Sequence, residues 1–256
     1  MYPGVPLVEQ ETMRLSFSRL GQFIQEKTLI VHVFTGPIAN HTVCLDVNRT
    51  PYIWGRNEDG QLGLGDTINR YNPTAIPSIT GRIKSGACGP NHTILFTTVG
   101  EMFVTGRNDS AQLGIGSVAS KNIFQSLESP RDVIGVSCGR DFSCCVVETG
   151  ELYTWGLPQF GQLGNGGEYK SLEKAGKWTY QMTKRPERLI EGDTIGKKII
   201  DVRSGPNHSC AIDDEGRIYT WGFGGYGRCG QGNPQDVHLP KNVEYFSGVP
   251  RTYTDE

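Results

Sequence analysis

Two short sequence landmarks recur together along the chain, and their spacing constrains the fold more than any other feature. The first is an Asn-His-Thr/Ser motif, and the second is a Trp-Gly pair followed by Gly-Gln-Leu-Gly. From one copy to the next, both landmarks advance by the same 51, then 50, then 66 positions. The first landmark centres on His41, His92, Phe142 and His208, and the second on Trp54, Thr105, Trp155 and Trp221. Because two independent landmarks keep one period, the chain contains four copies of a unit of about 50 residues, with an insertion in the third.

Each unit consists of short apolar runs separated by turns that carry glycine. Residues 93–97 are rich in β-branched and aromatic side chains, a turn with Gly100 follows, and residues 102–105 form the next run. Such pairs of runs are typical of β-hairpins, and no long segment of the units has the 3.6-residue period of a helix. Glycine accounts for 34 of 256 residues, nearly twice its usual share of about 7%. The pattern predicts an all-β propeller with one blade per unit.

The combination of Trp-Gly, Gly-Gln-Leu-Gly and His-Thr/Ser resembles the repeat of the regulator-of-chromosome-condensation family, over about residues 30–245. Residues 153–164 and 221–228 resemble that family's second branch, the telophase-disk proteins. The resemblance implies a β-propeller of seven blades, so this chain would supply about four blades of an expected seven, as a fragment or an incomplete propeller. We assign about residues 1–29 to an N-terminal flanking segment and residues 251–256 to a C-terminal tail. The four blades between them span about residues 30–80, 81–130, 131–197 (with the insertion) and 198–250.

The same resemblance implies protein binding rather than covalent chemistry. Relatives of the telophase-disk type imply contact with small GTPases of the Rac or Ral type, and action resembling a guanine-nucleotide exchange factor. They also imply roles in mitosis and cell migration, in the nucleus and nucleolus, at the chromosome centromere and on the mitotic spindle. The alternative is a chromatin- or microtubule-binding adaptor without exchange activity. No motif assigns exchange residues in this chain, and we expect no cofactor.

The residues that recur once per unit are those that a repeat needs for assembly. Glycine lets backbones approach closely, and the tryptophans are predicted to wedge between adjacent blades. A catalytic histidine need not recur, so the repeated histidines are interpreted as hydrogen-bonded structural groups. This structural set comprises Gly55, Gly63, Gly106, Gly114, Gly156, Gly164, Gly222, Trp54, Trp155, Trp221, His41, His92 and His208.

The sequence offers no motif for catalysis or for metal binding. It contains no Gly-x-Ser-x-Gly, no P-loop and no Cys-x-x-Cys pair, so we predict no catalytic residues and no metal site. Residues 222–227 match Gly-x-Gly-x-x-Gly by letter, but they coincide with the glycines of the repeat. Most of the seven cysteines lie in apolar runs, which favours reduced thiols in an intracellular protein.

The insertion in the third unit lies between Gly164 and Pro186, with a few further residues before Gly205. Residues 165–197 contain seven lysines and arginines against five acidic residues, in a chain of formal net charge −2. Long loops on rigid scaffolds often carry function, and aromatic side chains among basic ones suit interface anchors. A solvated hairpin without a partner fits this composition equally well. The candidate partner-binding residues are Lys170, Lys174, Lys177, Trp178, Tyr180, Lys184 and Arg185.

Charge and hydropathy limit how this chain could bind nucleic acid or a membrane, and any contact with nucleic acid would need a local charged patch. A net charge of −2 provides no global field that would draw the chain onto nucleic acid or an anionic membrane. The longest apolar run, residues 29–34, is far shorter than the ~20 residues of a membrane helix, so we expect no membrane insertion. Residues 11–27 place apolar side chains at helical spacing, which suits either a short flanking helix or a divergent segment.

Overall fold

A computed structural model describes residues 29–167, 170–172 and 178–246, and it confirms the predicted all-β array. The helical spacing in residues 11–27 lies outside the described residues. Two short 3-10 turns occupy Gly225–Gly227 and Glu244–Phe246. The strands are β1 Ile30–Phe34, β2 His41–Asp46, β3 Pro51–Gly55, β4 Arg70–Ala75, β5 Ile83–Cys88, β6 His92–Thr97, β7 Met102–Gly106, β8 Lys121–Leu127, β9 Val133–Cys138, β10 Phe142–Val147, β11 Leu152–Gly156, β12 Lys170–Leu172, β13 Trp178–Tyr180, β14 Thr183–Arg188, β15 Ile199–Ser204, β16 His208–Asp213, β17 Ile218–Gly222 and β18 Val237–Asn242.

The strands form four antiparallel sheets of four strands, and each sheet is one blade. The blades are β1-β2-β3-β4, β5-β6-β7-β8, β9-β10-β11-β14 and β15-β16-β17-β18, while β12 and β13 pair separately. The first strands of successive blades lie beside one another, so they form the inner side of the array and the fourth strands form its outer side. Three outer strands contain a proline (Pro73, Pro186 and Pro240), as suits strands with a free edge. We propose that the boundaries between consecutive blades lie near residues 80, 130 and 197.

The second strand of each interior blade is buried on both faces. All six residues of β6 and all six of β10 are buried. Because a blade in the middle of the array has a neighbour on each side, both alternating sets of side chains must be apolar or hydrogen-bonded. This is why β6 and β10 lack the polar–apolar alternation of a half-exposed strand. It is also why two cysteines and two valines, residues 144–147, can follow one another in β10.

The hydrophobic core lies between blades rather than within any one of them. Phe34 and Leu45 of blade 1 share a buried cluster with Leu95 and Phe124 of blade 2. Corresponding clusters join blade 2 to blade 3 around Trp155 and blade 3 to blade 4 around Trp221. Each blade therefore depends on its neighbours for burial of its apolar faces, as expected of a repeat protein.

The Gly-Gln-Leu-Gly loop of one blade packs against the next blade. At Gly114 (φ +71°) and Gly164 (φ +67°), an added Cβ atom would lie only 2.9 Å from Cδ1 of Trp155 and of Trp221, respectively. The two indoles donate hydrogen bonds back to this loop, from Trp155 Nε1 to the Gln112 carbonyl (2.8 Å) and from Trp221 Nε1 to the Gln162 carbonyl (3.0 Å). Trp54 of blade 1 is half-buried. Gly63 similarly faces the Phe124 ring of blade 2, and Gly55, Gly106, Gly156 and Gly222 all have positive φ where the third strand ends.

Two of the repeated histidines connect neighbouring blades. His41 Nε2 lies 2.7 Å from Thr93 Oγ1, which donates to the Gln61 carbonyl at 2.6 Å. Because the hydroxyl proton is used on that carbonyl, the imidazole must be the donor, and Nε2 carries its proton. His92 makes the same contact with Ser143 Oγ (3.0 Å) across the next junction. We call this chain of imidazole, hydroxyl and glutamine carbonyl the histidine relay.

Candidate protein-interaction surface

The two ends of the blade array are built from different connections. The start of each second strand pairs with the end of the third, as in His41 with Gly55. The loops between strands one and two and between strands three and four therefore share one end, which we call the loop end. The turns between strands two and three and the connections between blades form the opposite, hairpin end. The insertion joins β11 to β14, so it lies at the loop end.

Strand pairing defines the size and position of the insertion. In blades 1, 2 and 4, the glycine that ends the third strand pairs with a residue 15 positions later, for example Gly55 with Arg70. In blade 3, Gly156 pairs with Thr183, 27 positions later. Within the added segment, β12 and β13 pair antiparallel, with Lys170 opposite Tyr180 and Leu172 opposite Trp178. We call the paired strands β12 and β13 the insertion hairpin.

Only part of the predicted partner-binding set lies on this hairpin within the described residues. Lys170, Trp178 and Tyr180 belong to its two strands, while Lys174 and Lys177 lie outside the described residues. Lys184 and Arg185 were expected in the insertion, but they are exposed residues of β14, the outer strand of blade 3. The Arg185 guanidinium covers Gly116 of blade 2, whose added Cβ atom would lie 2.8 Å from Nη2.

The loops after the third strands are held rigidly in blades 1 and 2. Asn57 Nδ2 donates to the Asp66 and Ile68 carbonyls, and Asn57 Oδ1 accepts from the Leu62 amide at 2.9 Å. Asn108 of blade 2 makes the corresponding bonds. These internal bonds fix the positions of the side chains that each loop presents to solvent.

Those presented side chains differ between the two halves of the array. In blades 1 and 2 the loops carry internal ion pairs, Arg56 with Glu58 (2.6 Å) and Arg107 with Asp109. The hydrogen bonds that Arg107 donates to Asp109 raise the pKa of Arg107, so this guanidinium remains charged and is already paired within its own loop. In blades 3 and 4 the corresponding loops carry aromatic side chains instead. The charge in the first half is thus compensated within each loop.

The aromatic side chains of blades 3 and 4 contact one another. Phe160 of blade 3 and Phe223 of blade 4 have ring centroids 5.0 Å apart. The Arg228 guanidinium carbon lies 4.6 Å from the Phe223 ring centroid and 5.8 Å from that of Tyr226. Within the described ranges, Arg228 has no acidic partner. We call Phe160, Phe223, Tyr226 and Arg228 the aromatic patch.

Tyr226 is the most unusual member of the aromatic patch. Its side chain is 98% exposed, and its φ of +61° is a left-handed conformation that non-glycine residues rarely adopt. Exposed aromatic rings beside an arginine are the side chains that dominate binding energy in protein interfaces. Sequence reasoning missed this patch. The sequence did contain a signal for it. At one equivalent loop position, the polar residues Asp59 and Ser110 of blades 1 and 2 are replaced by the aromatic residues Phe160 and Tyr226 in blades 3 and 4.

Within the described residues, the buried histidines and cysteines are poorly suited to acid–base or nucleophilic chemistry. Burial lowers the pKa of His41 to about 4 and of His92 to about 3, so both are neutral at physiological pH. Burial also lowers the pKa of the half-buried His208, with a smaller effect from Arg228. All seven cysteines are free thiols, and burial raises the pKa of Cys88 and of Cys144 to about 12. A thiol with such a pKa is a poor nucleophile.

The described ranges also hold no obvious metal or membrane feature. No three His, Cys, Asp or Glu side chains within them come together as metal ligands would. Likewise, the helical segments of the described residues are too short and too polar to cross a membrane. The insertion hairpin and the aromatic patch both lie at the loop end.

Four stacked, four-stranded antiparallel blades define a β-propeller repeat protein. The chain belongs to the regulator of chromosome condensation (RCC1) repeat family. The sequence model of that repeat matches residues 52–96, 99–146, 149–212 and 215–253, and a second RCC1 repeat model matches residues 133–162. Each of the four matches begins near a third strand, and the first three end within the second strand of the following blade, so the sequence repeat is out of phase with the blade.

Among curated proteins, human Protein RCC2 is 34% identical over 227 residues, which cover 84% of this chain and 44% of the relative. The ultraviolet-B receptor UVR8 of Arabidopsis thaliana is 32% identical over 222 residues, covering 85% and 47%. Among solved structures, Prp20p of Saccharomyces cerevisiae superimposes with a TM-score of 0.73 at 24% identity, covering 87% of this chain and 52% of Prp20p. The similarity to RCC2 confirms the predicted branch. The chain spans about half the length of these relatives.

Proposed function

We propose that this chain is a protein-binding regulator that engages a small GTPase of the Rac or Ral type through its loop end. In this proposal it acts as an exchange factor in mitosis, at the centromere and spindle, and in cell migration. The observation that carries the proposal is the coincidence of two features at one end of blades 3 and 4. The insertion hairpin and the aromatic patch lie there, whereas the same loops of blades 1 and 2 carry self-compensated ion pairs.

The chemistry of this surface suits an acidic protein partner. Phe223 and Tyr226 offer large, rigid contact areas, and the stacked Arg228 guanidinium lacks an acidic partner within the described ranges. An arginine held against aromatic rings can form a two-point hydrogen bond with a carboxylate at little additional entropic cost. The insertion also contains Lys170, Lys174 and Lys177, and positive charge on this segment would speed the encounter with an acidic surface.

Exchange activity requires no catalytic residue in the propeller. A partner that binds the nucleotide-free GTPase more tightly than the nucleotide-bound form shifts the equilibrium towards release. By linkage, the ratio of the two affinities equals the factor by which the bound chain lowers the affinity of the GTPase for its nucleotide. One structural neighbour supports a GTPase as the class of partner, because Prp20p binds Gsp1p as well as histones.

Release of a fluorescent nucleotide from a panel of Rac- and Ral-type GTPases tests this proposal. We expect the full chain to accelerate release from one class of GTPase. Two variants, Lys170→Glu/Lys174→Glu/Lys177→Glu and Phe223→Ser/Tyr226→Ser, should each reduce that acceleration about tenfold, which corresponds to about 1.4 kcal/mol. No acceleration from any GTPase in the panel would contradict the exchange proposal.

Two control variants test whether the effect is specific to the loop end of blades 3 and 4. Arg82→Glu/Lys84→Glu/Arg131→Glu reverses three charges at the hairpin end, and Arg107→Ala changes the blade 2 loop at the position of Phe223. Both should retain the activity of the unaltered chain. If they reduce it as much as the loop-end variants, the loop end of blades 3 and 4 is not the binding surface.

The second candidate is a chromatin- or microtubule-binding adaptor without exchange activity. The binding of Prp20p to histones favours it, and the basic insertion hairpin would then contact an acidic surface such as that of a nucleosome or tubulin. Such binding should weaken steeply with salt, because several lysines would act together on a highly charged surface. Salt-sensitive capture of nucleosomes or microtubules, without nucleotide release, would favour this alternative.

A further inference from the structure

The connection from blade 3 to blade 4 encloses a cavity at the hairpin end. Residues 189–198 join β14 to β15, whereas residues 128–132 suffice between β8 and β9. A cavity of about 330 Å³ lies between this longer connection and the β10–β11 turn. We call it the corner cavity. Its volume lies at the lower end of the range for ligand pockets, which suits one or two side chains better than a large cofactor.

The walls of the corner cavity combine an apolar floor with a basic rim. Leu152, Leu189 and Ile199 are buried and form the floor. Lys197 and Lys198 stand at the rim, half-buried and exposed respectively, and neither forms an ion pair within the described ranges. The remaining charges at the rim, Arg188 and Glu151, neutralise each other at 2.9 Å. The rim therefore has an uncompensated positive charge directly above an apolar surface.

Thr194 lines the same cavity and carries an unpaired hydroxyl group. The residue is only 6% exposed, it lines the cavity, and its Oγ1 atom is buried without a hydrogen-bond partner. A buried hydroxyl without a partner is unfavourable, because it has lost its hydrogen bonds with water and gained none in the protein. The backbone carbonyl of Thr194 is occupied by the Lys197 amide (3.1 Å), so the hydroxyl is the unsatisfied group. A ligand oxygen in the cavity would satisfy it.

We propose that the corner cavity binds an aliphatic side chain flanked by carboxylates, from an acidic segment of a partner protein. The aliphatic group would contact Leu152, Leu189 and Ile199. The flanking carboxylates would meet Lys197 and Lys198, and an oxygen of the segment would accept from Thr194 Oγ1. The cavity lies at the opposite end from the insertion hairpin, so this site is separate from the proposed GTPase surface.

Fluorescence anisotropy with short labelled peptides tests the proposal on the full chain. The probe has one central leucine between glutamates, and its variants replace the leucine by serine or the glutamates by glutamines. We expect saturable binding of the probe and at least tenfold weaker binding of either variant peptide. No saturable binding of the probe, or equal binding of all three peptides, would overturn the proposal.

Protein variants locate the site. Lys197→Glu/Lys198→Glu should abolish binding of the probe, whereas the matched reversal Arg82→Glu/Lys84→Glu, at the start of β5, should leave it unchanged. Thr194→Val keeps the shape but removes the hydroxyl, so it should weaken binding about fivefold without lowering the melting temperature, and Thr194→Ser should retain binding. If Thr194→Val only raises the melting temperature and binding is unchanged, the hydroxyl is a tolerated defect and the proposed contact is wrong.

Discussion

The junction between blades 2 and 3 and the junction between blades 3 and 4 use one backbone arrangement but different polar contacts. At the first, the Gln112 carbonyl accepts from both Ser143 Oγ and Trp155 Nε1, each at 2.8 Å, and His92 donates to Ser143. At the second, Phe142 occupies the histidine position, and Trp221 Nε1 is the one side-chain donor to the Gln162 carbonyl within the described ranges.

The serine of the second junction finds other partners. Ser209 Oγ lies 3.0 Å from Ser204 Oγ, which lies 3.2 Å from Cys144 Sγ. The loss of one imidazole is thus absorbed by neighbouring hydroxyl and thiol groups, while the packing of glycine on tryptophan is unchanged. The comparison indicates that indole and glycine hold adjacent blades together, and that the histidine relay is an exchangeable addition that makes a junction sensitive to pH.

Acid should therefore weaken the first two junctions but not the third. Burial lowers the folded-state pKa of His41 to about 4 and of His92 to about 3, below the unfolded value of 6.5. Their contribution is complete above pH 6.5 and is lost as pH falls, because the unfolded chain then binds protons that the folded chain cannot. At pH 4 the loss is about 3 kcal/mol for each imidazole. Urea unfolding at pH 7 and pH 4 measures it.

Two variants isolate this effect from the titration of carboxylates. His41→Phe/His92→Phe should remove about 6 kcal/mol of the pH dependence, since Thr93 and Ser143 keep their carbonyl acceptors. Phe142→His should add a third acid-sensitive junction. An unchanged pH slope in the double variant would show that the relay does not control acid stability.

The tryptophans should matter at both junctions, but not equally. Trp155→Ala and Trp221→Ala each remove a fully buried indole and should cost about 3–5 kcal/mol. Trp→Phe changes separate the ring from its N–H. Trp221→Phe leaves the Gln162 carbonyl without its donor and should cost about 1–3 kcal/mol. Trp155→Phe should cost less, because Ser143 still donates to Gln112. Equal costs in urea unfolding would show that the second donor has no compensating effect.

The repeated parts of this fold were predictable because each landmark occurs several times. Gly114 and Gly164 both face a tryptophan of the next blade, so a single physical role accounts for both. Their regular spacing in the sequence is enough to predict that they share this role. The aromatic patch was not predictable in the same way. Phe160 and Tyr226 belong to different repeats, and only the stacking of blades brings Phe160 onto Phe223.

The edges of the insertion were also hidden from the sequence. Lys184 and Arg185 have the composition of the insertion, but the pairing of Gly156 with Thr183 places them on an outer strand. No local signal marks where an outer strand resumes after a long loop, because β14 is mostly exposed and carries charged residues like those of the loop itself. The corner cavity depends on the path of the backbone through residues 189–198, and the amino-acid composition of this connection does not predict that path.

The smallest effect concerns the glycines that approach the next blade. Gly164 and Gly230 hold equivalent positions with similar φ values of +67° and +63°. An added Cβ atom at Gly164 would lie 2.9 Å from Trp221 Cδ1, whereas at Gly230 the nearest atom would be Val243 Cγ1 at 3.5 Å. An alanine at either position carries the same left-handed backbone cost of about 1–2 kcal/mol. The difference between the two variants therefore measures the contact with the next blade alone.

We expect Gly164→Ala to lower the free energy of unfolding by about 1–3 kcal/mol more than Gly230→Ala, the usual cost of overpacking a buried contact. Combining Gly164→Ala with Trp221→Phe should give less than the sum of the two losses, because both changes act on one contact. Equal losses for the two glycines would mean that backbone conformation, rather than close approach of the blades, explains why glycine recurs in the loop. The indole–glycine contact would then no longer account for what the two junctions share.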